Sequence, residues 1–279
     1  MKYSNYYAFQ RDCKANGIEY AAKHSAALGF DAVEFLDVLM SPSPQYESLD
    51  ASYVKSVLEQ NGLTVACFSV VVNLLTTDFA ILKERFAKQI EFAARLGAPC
   101  LHHPLVPGLS MAEDAPSYAS VFDRILEPAV WIAERCAEYG LTCLYEPQGM
   151  YFNGVEGLKP FYQCVSKACS NVAICGDVGN ALFVDVSANE IYDAFLHDIK
   201  HVHVKDYLIG DRAIEERCWQ SRGGKWISEC PIGTGVTDFS YCFNRLKQVG
   251  YDASISFELD GDDKTLTDAL QKVKSWWQC

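Results

Sequence analysis

Three acids and a histidine carry the strongest chemical signal in this chain. Glu146, Asp177, His203 and Glu258 each close a short β-prone run, in LTCLYEP (141–147), VAICGDV (172–178), IKHVHVKD (199–206) and YDASISFEL (251–259). Successive side chains on a strand point to opposite faces, so in HVHVKDY Val202 and Val204 share one face while His201, His203 and Lys205 share the other. In the last run Ser254, Ser256 and Glu258 oppose Ile255, Phe257 and Leu259, which puts the acid on the small, polar side. If the four run ends converge, three carboxylates cannot all stay ionised in one volume without a cation. A divalent metal ion resolves that repulsion. Carboxylate oxygens with one imidazole suit Mn²⁺ first, and Mg²⁺ or Co²⁺ next, better than they suit a thiolate-rich zinc site.

The elements that must position these residues are legible along the whole chain. Four earlier apolar runs, SNYYAF (4–9), FDAVEFL (30–36), LTVACFSVVVN (63–73) and PCLHHPL (99–105), bring the set to eight. Helical patterns lie between them. TDFAILKERFAKQIEFAARLGAP places Phe79, Leu82, Phe86, Ile90 and Ala93 at helical spacing, opens on a Thr-Asp cap signal and closes with Gly97 and Pro99. The segment 114–140 repeats the pattern with an irregularity at Pro128, and the C-terminal stretch puts Leu266, Leu270, Val273 and Trp277 on one face. Strand–helix alternation implies a parallel sheet, and eight repeats of roughly 30 to 40 residues predict one closed (β/α)8 TIM barrel spanning residues 1–279 as a single domain. The rival, a doubly wound open sheet, lacks a GxGxxG after its first strand. In a barrel, neighbouring strands lie about 4.8 Å apart and active sites form at their C-terminal ends, so the four run ends meet at one mouth. A long insertion between strands seven and eight, residues 207–250 with CWQSRGGKW, is the candidate lid.

Composition narrows the function. The formal charge of −12 repels polyanions, which argues against nucleic acid as a partner. The N-terminus MKYSNYYAFQ has no signal-peptide core, and the most apolar stretch, LTVACFSVVVNLL, is too short to span a bilayer, so a cytoplasmic protein without a membrane partner is expected. The 12 cysteines form no CxxC pair, and several lie inside apolar strand-like runs, where a reduced thiol packs as a small hydrophobe. A homo-oligomer is allowed by everything in the sequence.

YEPQG, CGDVGN, HVHVKD and PIGTGVTDFSYCFNRLKQVGYDASISFE resemble the xylose isomerase-like TIM-barrel superfamily of sugar isomerases and epimerases, which includes D-tagatose/D-allulose 3-epimerases, inosose dehydratases and endonuclease IV. The resemblance covers essentially the whole chain and is strongest in its second half. It implies the metal quartet Glu146, Asp177, His203 and Glu258, and a small-molecule sugar or keto-sugar as substrate. It also implies that Glu146 and Glu258, on opposite sides of the sugar, exchange the C–H proton beside a carbonyl. A divalent cation on the carbonyl oxygen stabilises the developing enediolate by several kcal/mol, so the chemistry is self-consistent.

Other candidates are less sharply marked. Alternation turns one of His102 and His103 inward, and His103, followed by Pro104, matches an HP position of the superfamily and is the candidate catalytic or relay group. Lys205 sits where the inosose dehydratase-like branch has its HxKD lysine and could supply a cation near substrate oxygens; a rim lysine paired with Asp206 is the structural alternative. Asn180 stands where the epimerases commonly have a histidine, and Ile209 where they have an arginine, so the sugar is not handled as in a standard ketohexose epimerase. Asn180 can still donate to a hydroxyl. Glu34, and Trp219 or Trp226 in the insertion, are further candidates for substrate contact. The expected activity is a metal-dependent, ketose 3-epimerase-like isomerase. The alternative is a lyase or dehydratase of a keto-inositol or 3-keto-glycoside. The endonuclease reading fails because its additional histidines are absent.

Overall fold

The computed structural model describes residues 1–37, 49–213 and 218–278. Eight parallel strands close a barrel in the order β1-β11-β7-β6-β5-β4-β3-β2. They are β1 (Lys2–Asn5), β2 (Ala32–Leu36), β3 (Thr64–Ser69), β4 (Cys100–His102), β5 (Thr142–Tyr145), β6 (Val172–Asp177), β7 (Ile199–Val204) and β11 (Ser254–Phe257). Helices α1 (Tyr7–Asn16), α2 (Ile18–Ala27), α3 (Ala51–Gln60), α4 (Phe79–Leu96), α5 (Tyr118–Glu138), α6 (Gly154–Ala168), α7 (Ala188–Phe195), α8 (Phe239–Gln248) and α9 (Asp263–Gln278) lie between and after them. The caps explain the boundaries of α4: the Asp78 side chain accepts from Ala80 N and Ile81 N, and Gly97 ends the helix in the left-handed region at φ 86.

The first strand lies earlier than its sequence suggests. SNYYAF reads as strand over 4–9, but pairing with β11 ends at Asn5 and Tyr7–Phe9 form the first turn of α1. That break brings Tyr6 and Tyr7 to the barrel mouth.

Strand alternation separates two layers. Leu101, Cys143, Tyr145, Val202, Val204, Ile255 and Phe257 pack outward in the large core beneath the helices. Cys67, Cys100, Leu144, Ala173 and Cys175 form a small cluster inside the barrel. None of the described cysteines forms a disulfide, and most are buried.

The insertion after β7 folds as a small antiparallel sheet, in the order β8-β10-β9, from β8 (Asp206–Gly210), β9 (Trp219–Gln220) and β10 (Trp226–Cys230). Asp185, in the left-handed region at φ 61, fastens it to the barrel by accepting from Ser221 Oγ at 2.5 Å and Gly223 N at 2.6 Å. Phe183, Tyr207 and Ile227 fill the seam beneath it.

Candidate metal centre

The register of the last strands sets the site. Asp177 pairs with His203 across β6 and β7, and His203 with Ser256 across β7 and β11, so these residues share one level. Glu146 follows the end of β5, and Glu258 follows the end of β11, where its N–H bonds the Val204 carbonyl. One ligand atom from each of Glu146, Asp177, His203 and Glu258 lies within 4.8 Å of all the others. His203 Nδ1 is 2.8 Å from Glu146 Oε1 and 3.5 Å from Glu258 Oε2. Asp177 Oδ1 accepts from Gly179 N at 2.7 Å and Asn180 N at 2.5 Å, which leaves Oδ2 to face the centre.

Lys205 lies inside this ring of acids. Its Nζ is 2.7 Å from Glu258 Oε2 and 3.0 Å from Asp177 Oδ2, and the residue is only 6% exposed. Asp206 is not its partner. Both Asp206 oxygens accept backbone N–H groups, from Tyr207 and Thr237 on Oδ1 and from Gly233 and Gly235 on Oδ2. The alternative of a rim lysine paired with Asp206 is therefore set aside.

Crowding of charge shifts the titrating groups. Burial pushes the Asp177 carboxyl up to about 7 against the pull of Lys205, and repulsion from Glu146 and Glu258 adds to the rise. Burial also acts to raise Glu146, but His102 and His203 hold it well below the usual carboxylate range. Burial opposes the cationic form of His203, yet Cys175, Glu34 and Glu146 lift it well above the ordinary imidazole value. Lys205 is held cationic in the same way by Asp177 and Glu258.

A cavity of about 130 Å³ opens at the mouth, lined by Tyr6, Tyr7, His102 and Gln148 with Glu146, His203 and Glu258. The Tyr7 hydroxyl donates to Glu258 Oε1 at 2.5 Å. That volume is below the roughly 300 Å³ at which drug-sized ligand sites begin, so it admits a small polar molecule. Larger cavities, of about 760 Å³ beside the start of α6 and about 640 Å³ at the opposite barrel end, do not hold the quartet.

The remaining sequence candidates separate clearly. Asn180 stays beside the centre: its N–H bonds Asp177 and its buried Nδ2 has no partner. His103 does not reach the mouth. Leu101 packs outward, so the next residue, His102, turns inward, and His103 follows Leu101 to the helix side. There its Nδ1 is 3.0 Å from the Pro104 carbonyl, its Nε2 lies 3.6 Å from Cys143 Sγ, and its ring meets Phe86 and Tyr145 edge-on. His102 takes the inner position, with Nδ1 3.0 Å from Ser69 Oγ and Nε2 3.4 Å from Glu146 Oε2. The outward parity of Leu101 is the signal that would have selected His102. Glu34 lies one level below the mouth at 0% exposure, its oxygens occupied by His201, His203 and Ser69, and it is not part of the mouth-cavity lining. Trp226 sits on the outer end of the insertion, opposite Gly210 and Gln220, outside the lining of the mouth cavity. Trp219 packs against Phe183. Tyr6, Tyr7 and His102 are not among the sequence candidates, because each depends on where a strand ends or which way it turns; His201 is on the inward face by alternation but has no role assigned there.

The donor set fits one divalent ion: three carboxylates and an imidazole lie within 4.8 Å of one another, and Asp177 Oδ2 turns to the centre with the Lys205 ammonium as its charged neighbour. Among solved structures, the chain is similar to D-psicose 3-epimerase with D-tagatose from Clostridium cellulolyticum H10, at TM-score 0.76 and 17% identity over 100% of both chains. It is similar to L-ribulose 3-epimerase at TM-score 0.76 and 16% identity, over 99% of this chain and 94% of that one. It also matches the IOLI protein with a bound zinc atom at TM-score 0.74 and 16% identity, over 99% and 96% of the two chains. No curated protein matches the sequence significantly. The fold, the inward acids at the last strand ends and a family match over residues 22–278 agree: the chain belongs to the xylose isomerase-like TIM-barrel family.

Proposed function

We propose that the protein is a divalent-metal-dependent sugar isomerase of the ketose 3-epimerase type, moving a proton at the carbon beside a carbonyl. The observation that carries this is the placement of Glu146 and Glu258 on one small cavity, with His203 between them. Glu146, Asp177, His203 and Glu258 would hold the ion, Mn²⁺ first and Mg²⁺ or Co²⁺ next, and when bound it polarises the substrate carbonyl.

The chain's own groups do the rest. Glu258 accepts the C–H proton, oriented by the Tyr7 hydroxyl on Oε1 and the Lys205 ammonium on Oε2. Lys205 places fixed positive charge where the enediolate oxygen turns negative. Glu146, ionised at rest, takes up a solvent proton and delivers it to the other face while Glu258 releases the abstracted proton to solvent, and His102 lies 3.4 Å from the Glu146 carboxylate. Asn180 Nδ2, buried and unpaired, is available to a substrate hydroxyl. The 3-epimerases among the structural neighbours support this choice of reaction.

A lyase or dehydratase of a keto-inositol or 3-keto-glycoside shares the first proton abstraction but needs an acid for the departing oxygen. Lys205, whose neighbours hold its proton tightly, is a poor one. The test is a screen in D₂O of ketoses, keto-inositols and 3-keto-glycosides with the Mn²⁺-loaded protein. Deuterium should enter at the carbon next to the carbonyl and give a stereoisomer, and Glu258→Gln should abolish it. No exchange with any of these substrates, full exchange by the variant, or an absorbing enone as product would overturn the assignment.

A further inference from the structure

Glu34 has three side-chain partners inside the barrel and lies outside the mouth-cavity lining. It is fully buried. Its Oε1 accepts from Ser69 Oγ at 2.5 Å and lies 3.0 Å from His203 Nε2, while Oε2 lies 2.7 Å from His201 Nε2. His201 and His203 meet edge-on, with ring centroids 5.1 Å apart. On its other side His203 presents Nδ1 to Glu146 at 2.8 Å. The ring is thus gripped at both nitrogens, from below by Glu34 and from above by the quartet.

This arrangement has chemical content. An imidazole that ligates a cation uses the lone pair of one nitrogen and carries its proton on the other. A carboxylate is an acceptor only, so Glu34 can face Nε2 only when that nitrogen bears a hydrogen. By the same rule Nδ1, 2.8 Å from Glu146 Oε1, bears a hydrogen until a bound cation displaces it and takes the lone pair, while Glu34 keeps the hydrogen on Nε2. Glu34, His201 and His203 themselves have ligand atoms within 4.8 Å of one another. A cation there would have one donor fewer than the usual four, and each contact is already a hydrogen bond, so this group supports a ligand rather than forming a second centre.

We infer that Glu34, seated by His201 and Ser69, is the positioning residue of the metal centre: it fixes the tautomer and ring orientation of His203 so that Nδ1 serves as ligand. The inference rests on the metal reading above. Partners of this kind typically govern 10- to 100-fold in metal affinity.

The test is the affinity of the purified, metal-stripped protein for Mn²⁺ by titration calorimetry, with thermal melting of the stripped proteins as a folding control. Glu34→Leu keeps the volume and removes the acceptor, and should weaken binding about 10- to 100-fold. Glu34→Gln should restore most of the affinity. Its amide oxygen can take the place of Oε1, held there by Ser69, while the amide nitrogen donates to His201. A role limited to filling space would leave Leu and Gln alike. Should Glu34→Leu not fold, His201→Phe carries the test, because it frees Oε2 and should weaken Mn²⁺ binding to a smaller degree. Wild-type protein that binds no Mn²⁺ defeats the metal reading itself. Wild-type binding, with unchanged affinity in the folded Leu variant or in His201→Phe, defeats the inference alone.

Discussion

Replacing Asp206 by Asn tests how the insertion is tied to the barrel. Asp206 is 2% exposed and accepts from Tyr207 N at 3.0 Å, Gly233 N at 2.9 Å, Gly235 N at 2.8 Å and Thr237 N at 3.2 Å. The loop PIGTGV is therefore wrapped around one carboxylate, and Gly235 is required there because a Cβ would come within 2.3 Å of Asp206 Oδ1 and 2.4 Å of the Tyr207 carbonyl. An Asn side chain has one acceptor oxygen, so two of the four donors would instead face its NH₂ group. Each lost hydrogen bond to a charged acceptor costs about 1.5–3 kcal/mol, which sums to about 3–6 kcal/mol for two. Local opening of the loop caps the measured value near the lower end. Urea denaturation should show a fall in midpoint equivalent to about 3 kcal/mol, with faster amide exchange at Gly233 and Gly235. Because Lys205 is the preceding residue, turnover should fall as well. A loss under about 1 kcal/mol with unchanged exchange at those amides would refute the reasoning.

Two further outcomes follow from the same geometry. His102→Ala should lower turnover about 10- to 100-fold with little change in folding, whereas His103→Ala should cost about 2–5 kcal/mol of stability and leave turnover per folded molecule intact. Circular-dichroism melts with steady-state kinetics on both variants check this, and a reversal would mean that strand β4 faces the other way. Two of the quartet must lose protons to ligate a cation: Asp177, lifted by burial to about 7, and His203, held well above the ordinary imidazole value. Both shifts act in the same direction, since each group becomes more protonated as pH falls. Mn²⁺ affinity should therefore drop on acidification, by about tenfold per pH unit for each proton displaced, and calorimetry showing a flat profile from about pH 5.5 to 8.5 would contradict it.

What could be read in the sequence, and what could not, divides along one physical line. The barrel and the ends of its last strands follow from local alternation: Ser254, Ser256 and Glu258 oppose Ile255 and Phe257 in the fold as they do in the sequence. Layers that depend on how strands slide past each other do not follow from it. Simple alternation over IKHVHVKD places Ile199 on the same face as His201 and His203. In the structure Ile199 packs outward with Val202 and Val204, because the pairing of β6 with β7 slips between Ile174 and Cys175: Ile174 meets Ile199, and Cys175 then meets His201. Lys200 is the extra residue, exposed at the bulge. A second slip between Val33 and Glu34 sets Glu34 against Cys67 on β3. Together the two irregularities bring Glu34 to His201, 167 residues away, and put both beneath His203. A bulge leaves little trace in a single sequence, so Glu34 reads there as one more strand-end acid available to substrate. The slips convert it into support for the ligand above. They also make the lower layer of the site a property of barrel register rather than of any local motif.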